Sequence, residues 1–255
     1  MIYDVQKASL LKRFSAFLLD IILLCVLASG FAFLLAWITN IDGYTETLQA
    51  YYKEYGEKYG VDFYISAEDY AELTEEEQKV YDQAWNAMFK ENPEAYKAYN
   101  MSVALPMLIT TISILLSYIV FEFVIPLCLK NGQTVGKKVF SLGVVFNNSV
   151  KITPFALFVR AIFGKYTIET MFPVILIMLV FYGQMGLILA LVLVVALVIL
   201  QVILLIVTKN NCFVHDTLAS TVVVDMSSQM IFNTTQELIS YQEEVSREQA
   251  EKKEY

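Results

Sequence analysis

Residues 166–207 read YTIETMFPVILIMLVFYGQMGLILALVLVVALVILQVILLIV, an apolar block broken internally by Gly183-Gln184-Met185-Gly186. A membrane-spanning helix needs about 20 apolar residues to cross a hydrocarbon core of roughly 30 Å. The block is about twice that long, which predicts a hairpin of two spans over residues 167–182 and 187–207. One very long tilted helix is the alternative. Since a single soluble core cannot bury several such runs, the sequence predicts an integral membrane protein.

Two more apolar runs extend the prediction to four spans. The first covers residues 14–39, which is longer than the apolar region of about 7 to 15 residues in a signal peptide, and it contains Asp20. The second covers residues 102–129 and contains Glu122. The composition agrees, because 57% of the 255 residues are hydrophobic, 17% are charged and the mean hydropathy is +0.53. These values exclude a soluble enzyme.

Cations near the span ends predict the orientation, because cytoplasmic loops carry an excess of Lys and Arg. We therefore expect both termini in the cytoplasm and the protein in a bacterial plasma membrane, in contact with the lipid bilayer. The segment between the first two spans would then lie outside the cell. The basic residues precede the first span, separate the second from the third, or follow the fourth: Lys7, Lys12, Arg13, Lys130, Lys137, Lys138, Lys151, Arg160, Lys165 and Lys209.

The segment of residues 40–100 carries the acidity of the chain. It holds 14 of the 26 Asp and Glu residues against 5 Lys, and 10 of the 16 Tyr. The sequence predicts a helix over residues 44–59, a capping box that opens a helix at Thr74, and a helix that restarts at Asn92-Pro93 and runs into the second span. One interpretation is a platform for cations or an envelope partner. The other is a solvated insertion that packs its own tyrosines.

Residues 131–165 are predicted to hold a short β-hairpin and an interfacial helix. Residues 139–146 and 150–153 favour strands and flank Asn147-Asn148, which is a turn signal. Thr153-Pro154 then starts a helix whose apolar and basic residues suit the inner leaflet.

The predicted fold is therefore an all-α membrane protein with four transmembrane helices, a helical extracytoplasmic insertion, and a short cytoplasmic β-hairpin with an interfacial helix. Because four helices alone make a narrow bundle, a homo-oligomer is consistent with this fold. The predicted segments are residues 1–39 with the first span, 40–100 with the insertion, 101–130 with the second span, 131–165 with the hairpin and interfacial helix, 166–208 with the two-span hairpin, and 209–255 with a cytoplasmic segment ending in a charged helical tail.

Three acids lie at similar depths on different predicted spans: Asp20, Glu122 and Glu169. If their helices face one another, the acids form a carboxylate cluster in the inner half of the membrane, with Arg13 and Asp216 at its cytoplasmic mouth. Like charges so close cannot all ionise in a low dielectric, so at least one acid should keep its proton. Such a cluster suits proton-coupled cation exchange. For Asp20, a hydrogen bond to a neighbouring helix is the alternative.

Arg13 and Asp216 are also predicted to pair with each other. The first span begins just after Arg13, and the fourth ends near Thr208 at the same surface, a short loop before Asp216. A guanidinium presents a planar fork that fits a carboxylate. The alternative is that each residue caps backbone groups or meets lipid phosphate.

Two motifs partly resemble known binding sites but lack residues that those sites require. The stretch NGQTVGKK, residues 131–138, has three residues between its glycines where a phosphate loop has four, and Lys138 where that loop has Ser or Thr. Cys212 and His215 supply two ligands where a zinc site takes four, so a structural, hydrogen-bonded histidine is favoured. We predict no enzyme activity, no catalytic or cofactor-binding residues, no metal, and no nucleotide or nucleic-acid partner.

Three stretches of the sequence together resemble the RDD family of membrane proteins: RFSAFLLD at residues 13–20, GQTVGK at residues 132–137 and HDTLASTVV at residues 215–223. The resemblance maps the signature arginine and two aspartates of the family onto Arg13, Asp20 and Asp216. Ser220 stands where the family usually has Gly. The resemblance implies a multi-pass membrane protein, with transport of unidentified ligands or cation/proton exchange suggested for some members.

Two functions follow from these observations. The first is transport or exchange of a cation, a proton or a small solute, with Arg13, Asp20, Glu122, Glu169 and Asp216 as the candidate residues. The second is a non-transporting membrane scaffold or accessory subunit, whose acidic insertion and charged tail dock an envelope or cytoplasmic partner.

Overall fold

The computed structural model describes residues 5–251; residues 1–4 and 252–255, at the outer ends of the predicted terminal segments, lie outside the described residues. In chain order the elements are α1 (Leu10–Thr39), α2 (Ile41–Tyr59), α3 (Ala67–Glu72), α4 (Glu75–Glu91), α5 (Pro93–Tyr118), a first π-helical segment (Ile119–Val124), α6 (Ile125–Leu129), α7 (Val135–Val139), β1 (Leu142–Phe146), α8 (Pro154–Phe158), a second π-helical segment (Val159–Met171), α9 (Phe172–Phe181), α10 (Leu187–Val207), α11 (Val214–Leu218), β2 (Thr221–Asp225) and α12 (Thr235–Glu251).

Four helices among the described residues are long and apolar enough to cross a membrane, as the sequence predicts. They are Leu10–Thr39, Pro93–Leu129, Pro154–Phe181 and Leu187–Val207. Residues 30–113 form one compact unit, and the rest of the described chain forms a second unit, which holds the candidate site.

The third of these helices differs from the prediction, because the expected interfacial helix is not a separate element. Thr153 caps its start by accepting a hydrogen bond from the Ala156 N–H at 3.2 Å, and the helix then runs unbroken to Phe181. The basic residues Arg160 and Lys165 suggested a membrane surface there. They lie inside the second π-helical segment, where the structure pairs them with acids.

The polar break at Gly183-Gln184-Met185-Gly186 separates two helices, so the prediction of a hairpin is confirmed over that of one long helix. The third candidate span ends at Phe181, and α10 begins at Leu187. Gly183 has a φ of 68°, a left-handed conformation that glycine adopts without strain.

The small sheet also differs from the predicted hairpin. β1 pairs antiparallel with β2, which places Val144 opposite Val223. Residues 150–153 form isolated bridges instead, between Lys151 and Val145 of β1 and between Val150 and Phe232. β2 is the better partner because its three valines are buried on both faces of the sheet, with Val222 and Val224 on one face and Val223 on the other.

The insertion, taken by itself, is helical as predicted. α2 ends at Gly60 in the left-handed conformation, and Thr74 and Glu77 form the capping box that opens α4. Its core consists of Phe63, Ala84 and Met88 with the neighbouring aromatic rings packed around them. Five tyrosines of the insertion therefore pack in its own core, whereas Tyr64 and Tyr96 are more than half exposed.

Candidate functional site: a buried network of paired charges

Asp20 binds the turn that begins α7. Its Oδ1 accepts a hydrogen bond from the Gly136 N–H at 2.7 Å, and its Oδ2 accepts one from the Thr134 hydroxyl at 2.5 Å. A Cβ at position 136 would lie 2.4 Å from the Ala16 carbonyl oxygen and 2.7 Å from Asp20 Oδ1. The glycine therefore lets α7 approach α1 closely enough for its backbone to bind the carboxylate. This contact places the GQTVGK stretch against the first span.

Lys137 connects two of the predicted acids. Its Nζ lies 4.0 Å from Asp20 Oδ2 and 4.0 Å from Glu122 Oε2, and it donates to the Thr134 hydroxyl at 3.3 Å. Glu122 is also ion-paired with Lys165. Burial, assisted by the charge of Lys165, lowers the pKa of Lys137 to about 8, against the opposing effect of the two carboxylates. Lys137 therefore remains an ammonium at neutral pH.

Asp216 is fully buried between two arginines. Arg13 Nη2 lies 3.2 Å from its Oδ2, which confirms the predicted pair, and Arg160 Nη1 lies 2.6 Å from its Oδ1. Arg160 also donates to the Thr221 hydroxyl at 2.9 Å. Burial alone would raise the pKa of Asp216, but the charges around it, Arg160 foremost, hold that pKa well below its usual range.

The backbone around α11 is shaped to hold Asp216 and Arg13 together. The Phe213 N–H donates to Asp216 Oδ2 at 3.3 Å. Arg13 Nη1 donates to the Asn211 carbonyl at 2.6 Å, and its guanidinium lies 5.3 Å from the centroid of the Phe213 ring. Ser220 has a φ of 53° and turns the chain from α11 into β2.

Glu169 binds His215. The imidazole Nδ1 lies 2.8 Å from both carboxylate oxygens, and the His215 backbone N–H donates to Oε1 at 3.2 Å. A Cβ at Gly164 would lie 2.5 Å from His215 Cβ, so this glycine allows α11 to pack directly on the second π-helical segment. Cys212 points elsewhere, since its Sγ donates to the Thr221 carbonyl at 3.6 Å. His215 is therefore hydrogen-bonded, as the sequence predicts, and Glu169 is its partner.

These contacts join residues that are far apart in the sequence, and all except those of Thr221 lie within one stretch of similarity. A model of the RDD family matches residues 7–220, which is most of the chain.

The chain belongs to the RDD family.

No curated protein and no solved structure matches it. With its four apolar helices, this RDD-family chain is a membrane protein. Arg13 and Asp216 are ion-paired in one buried group with Arg160, and Asp20 lies beside Lys137 in a second buried group. We call the two groups together the charge network.

The network of this RDD protein corrects the predicted carboxylate cluster. Asp20 and Glu122 face the ammonium of Lys137 rather than each other, and Glu169 lies against His215. The argument that like charges force one acid to keep its proton therefore loses its basis. The network consists of four acids, four Lys or Arg residues and one histidine: Asp20, Glu122, Glu169 and Asp216 with Arg13, Lys137, Arg160, Lys165 and His215.

Three bases of the network are the residues that sequence reasoning missed. Lys137, Arg160 and Lys165 were counted as cytoplasmic surface cations. A π-helix has more residues per turn than an α-helix, so an α-helical projection misplaces the face that carries Arg160, Gly164 and Glu169. The one available signal was Thr134, since a Thr before a short basic stretch is an N-cap, which would have turned Lys137 inward with α7.

Proposed function

We propose that this protein is a small membrane transporter or exchanger of a cation, a proton or a small solute, with Asp20 and Glu122 at its centre. The observation that carries the proposal is that one buried ammonium, that of Lys137, lies 4.0 Å from a carboxylate oxygen of each acid. Both acids are on candidate membrane spans and are at most 6% exposed. Acids at such positions are costly, and they commonly mark ion or substrate pathways.

The chemistry around Lys137 suits a positively charged substrate. Its ammonium lies among oxygens of Asp20, Glu122 and Thr134, and oxygen atoms are the ligands that hard cations take. A monovalent cation that replaced the ammonium would leave the local charge unchanged. In this proposal, movement of α7 withdraws Lys137 and opens the position. Glu169, Arg13 and Asp216 hold α1, α11 and the third candidate span in register around it.

Ion flux into proteoliposomes tests the proposal. Wild type should carry at least one of Na⁺, K⁺, Li⁺ or H⁺ above the rate of protein-free vesicles, and Asp20→Asn should fall to that background. Asp225→Asn is the matched control, because Asp225 pairs with Lys12 at 2.6 Å outside the network. It should keep the wild-type flux. Background flux in all three proteins for every ion would overturn the proposal for a cation or a proton.

The second candidate function is a non-transporting scaffold or accessory subunit. It is favoured by the balance of charge in the network, which suits a polar core that holds helices together, and by the dense negative charge of residues 40–100. Affinity purification from native membranes tests this function. A partner should copurify with the full chain and be lost when residues 44–97 are deleted. A protein that purifies alone in both forms contradicts it.

We further propose a plasma-membrane location with both termini in the cytoplasm and the insertion outside. The support is the cations near the span ends that lie outside the buried network, such as Lys130, Lys138 and Lys151. Single-cysteine labelling in intact cells tests this orientation. A cysteine at Ser66 should react with an impermeant maleimide and one at Ser246 should not, and the reverse pattern would overturn the orientation.

A further inference from the structure

His215 lies between two carboxylates that belong to different parts of the network. On one side, Nδ1 contacts both oxygens of Glu169 at 2.8 Å. On the other side, Nε2 lies 3.6 Å from Asp216 Oδ2, which is just beyond hydrogen-bond distance. Because Nδ1 faces a carboxylate, the neutral ring carries its proton there. Nε2 then presents a lone pair to Asp216 and cannot donate to it.

The oxygen that faces Nε2 is the one that holds Arg13. Asp216 Oδ2 lies 3.2 Å from Arg13 Nη2 and accepts from the Phe213 N–H at 3.3 Å. The other oxygen, Oδ1, is held separately by Arg160 at 2.6 Å. A new donor on Nε2 would therefore compete with Arg13 for Oδ2, while Arg160 keeps the carboxylate in place.

We propose that His215 is a proton-binding switch: when its ring is protonated, Nε2 donates to Asp216 Oδ2 and weakens the hold of Arg13 on that oxygen. Arg13 lies in the first turn of α1 and Asp216 lies in α11, so acidification loosens the link between these two helices. The inference goes beyond transport and stands whether or not the protein moves an ion.

The groups around His215 set the pH range of the switch. Glu169 and Arg160 face it from the third candidate span, Asp216 lies beside it, and Arg13 approaches Asp216 from α1. The two carboxylates favour the charged ring, whereas burial and Arg160 oppose it. Burial prevails and lowers the pKa of His215 from its ordinary 6.5. The ring is therefore neutral at physiological pH and takes its proton only at a pH below its ordinary range.

The sequence contains one histidine, so a histidine-specific isotope label reports on His215 alone. In the full-length protein in lipid nanodiscs, the ¹⁵N shifts should show the Nδ1–H tautomer at neutral pH and a doubly protonated ring in acid, with a midpoint below 6.5. An Nε2–H tautomer at neutral pH, or a ring that does not titrate before the protein unfolds, would overturn the proposal.

A second measurement connects the proton to Arg13. The loss of Tm caused by Arg13→Gln should be smaller on the acid side of the His215 midpoint than at neutral pH. In a His215→Asn background, whose side chain can donate to Glu169 but takes up no proton, that loss should be the same at both pH values. Lys12→Gln is the matched control, because Lys12 pairs with Asp225 outside the network, and its loss should not depend on residue 215. If the Arg13→Gln loss is equal at both pH values in the wild-type background, the proposal fails; this readout does not involve flux, so it is independent of the proposed transport.

Discussion

The insertion and the charge network place the same kinds of residue in opposite environments. In the insertion, acids such as Glu76 and Asp82 are exposed, and rings such as Phe63 and Trp85 pack against each other at a centroid distance of 6.1 Å. In the unit that holds the network, the charged Asp216 is fully buried, whereas most side chains of the apolar helix α10 are exposed. A charge on the insertion interacts with water. A charge in the network needs a partner from a distant part of the chain, so its loss should cost more.

Removing Asp216 should give the largest effect of any single substitution in the network. Asp216→Ala leaves two buried guanidinium groups, those of Arg13 and Arg160, without their shared carboxylate. We expect a loss of about 3 to 5 kcal/mol in the free energy of unfolding. Denaturant unfolding in detergent, followed by tryptophan fluorescence or circular dichroism, measures it.

The comparison for Asp216→Ala is Asp82→Ala in the insertion. Asp82 is exposed and accepts a hydrogen bond from the Tyr70 hydroxyl at 2.9 Å. This variant should unfold close to wild type. Equal losses for the two aspartates would break the distinction between the two regions.

Gly136→Ala should give the next largest effect. The added Cβ would lie 2.4 Å from the Ala16 carbonyl oxygen, so α7 must move away from α1. The hydrogen bond from the backbone N–H of residue 136 to Asp20 is then lost. Overpacking of this kind costs about 1 to 3 kcal/mol. The control is Gly30→Ala in α1, the helix that Gly136 contacts, since a Cβ at Gly30 meets nothing within 4 Å. Gly30→Ala should hold or raise the Tm, and a Gly136→Ala protein as stable as this control would show that the close contact does not matter.

Among the three substitutions expected to destabilise the protein, Thr74→Ala should give the smallest effect. It removes the cap of α4, at a cost of about 1 kcal/mol. Hydrogen exchange should speed up at the start of α4 and stay unchanged around α7 and α11. Faster exchange in α7 or α11 would show that the two regions do not behave as separate units.

The two regions also differ in how far their structure could be predicted from the sequence. The features of the insertion are local: Gly60 ends one helix and Thr74 with Glu77 opens another, and each signal spans a few residues. The membrane spans and the break at Gly183 are local in the same sense, because length and hydropathy alone define them.

The contacts of the network are long-range, and most of them could not be predicted. Asp20 and Thr134 are 114 residues apart, and β1 pairs with a strand about 75 residues later that was assigned to the cytoplasmic tail. Arg13 with Asp216 is the exception, because both flank span ends that the sequence places on the same surface. The pairing of Arg160 and Lys165 with buried acids could not be predicted, because both lie in a π-helical segment and periodicity arguments assume 3.6 residues per turn.

The central claim is that the buried acids and bases compensate one another, and a double-mutant cycle on Asp20 and Lys137 tests it most directly. Asp20→Asn and Lys137→Met each leave a partner without its opposite charge, so each should lower the free energy of unfolding. Because Asp20 Oδ2 lies 4.0 Å from Lys137 Nζ, the double variant should lose less than the sum of the two single losses, with a coupling energy of about 1 to 3 kcal/mol. Losses that add to within about 0.5 kcal/mol would show that the two charges do not interact, and would contradict the network.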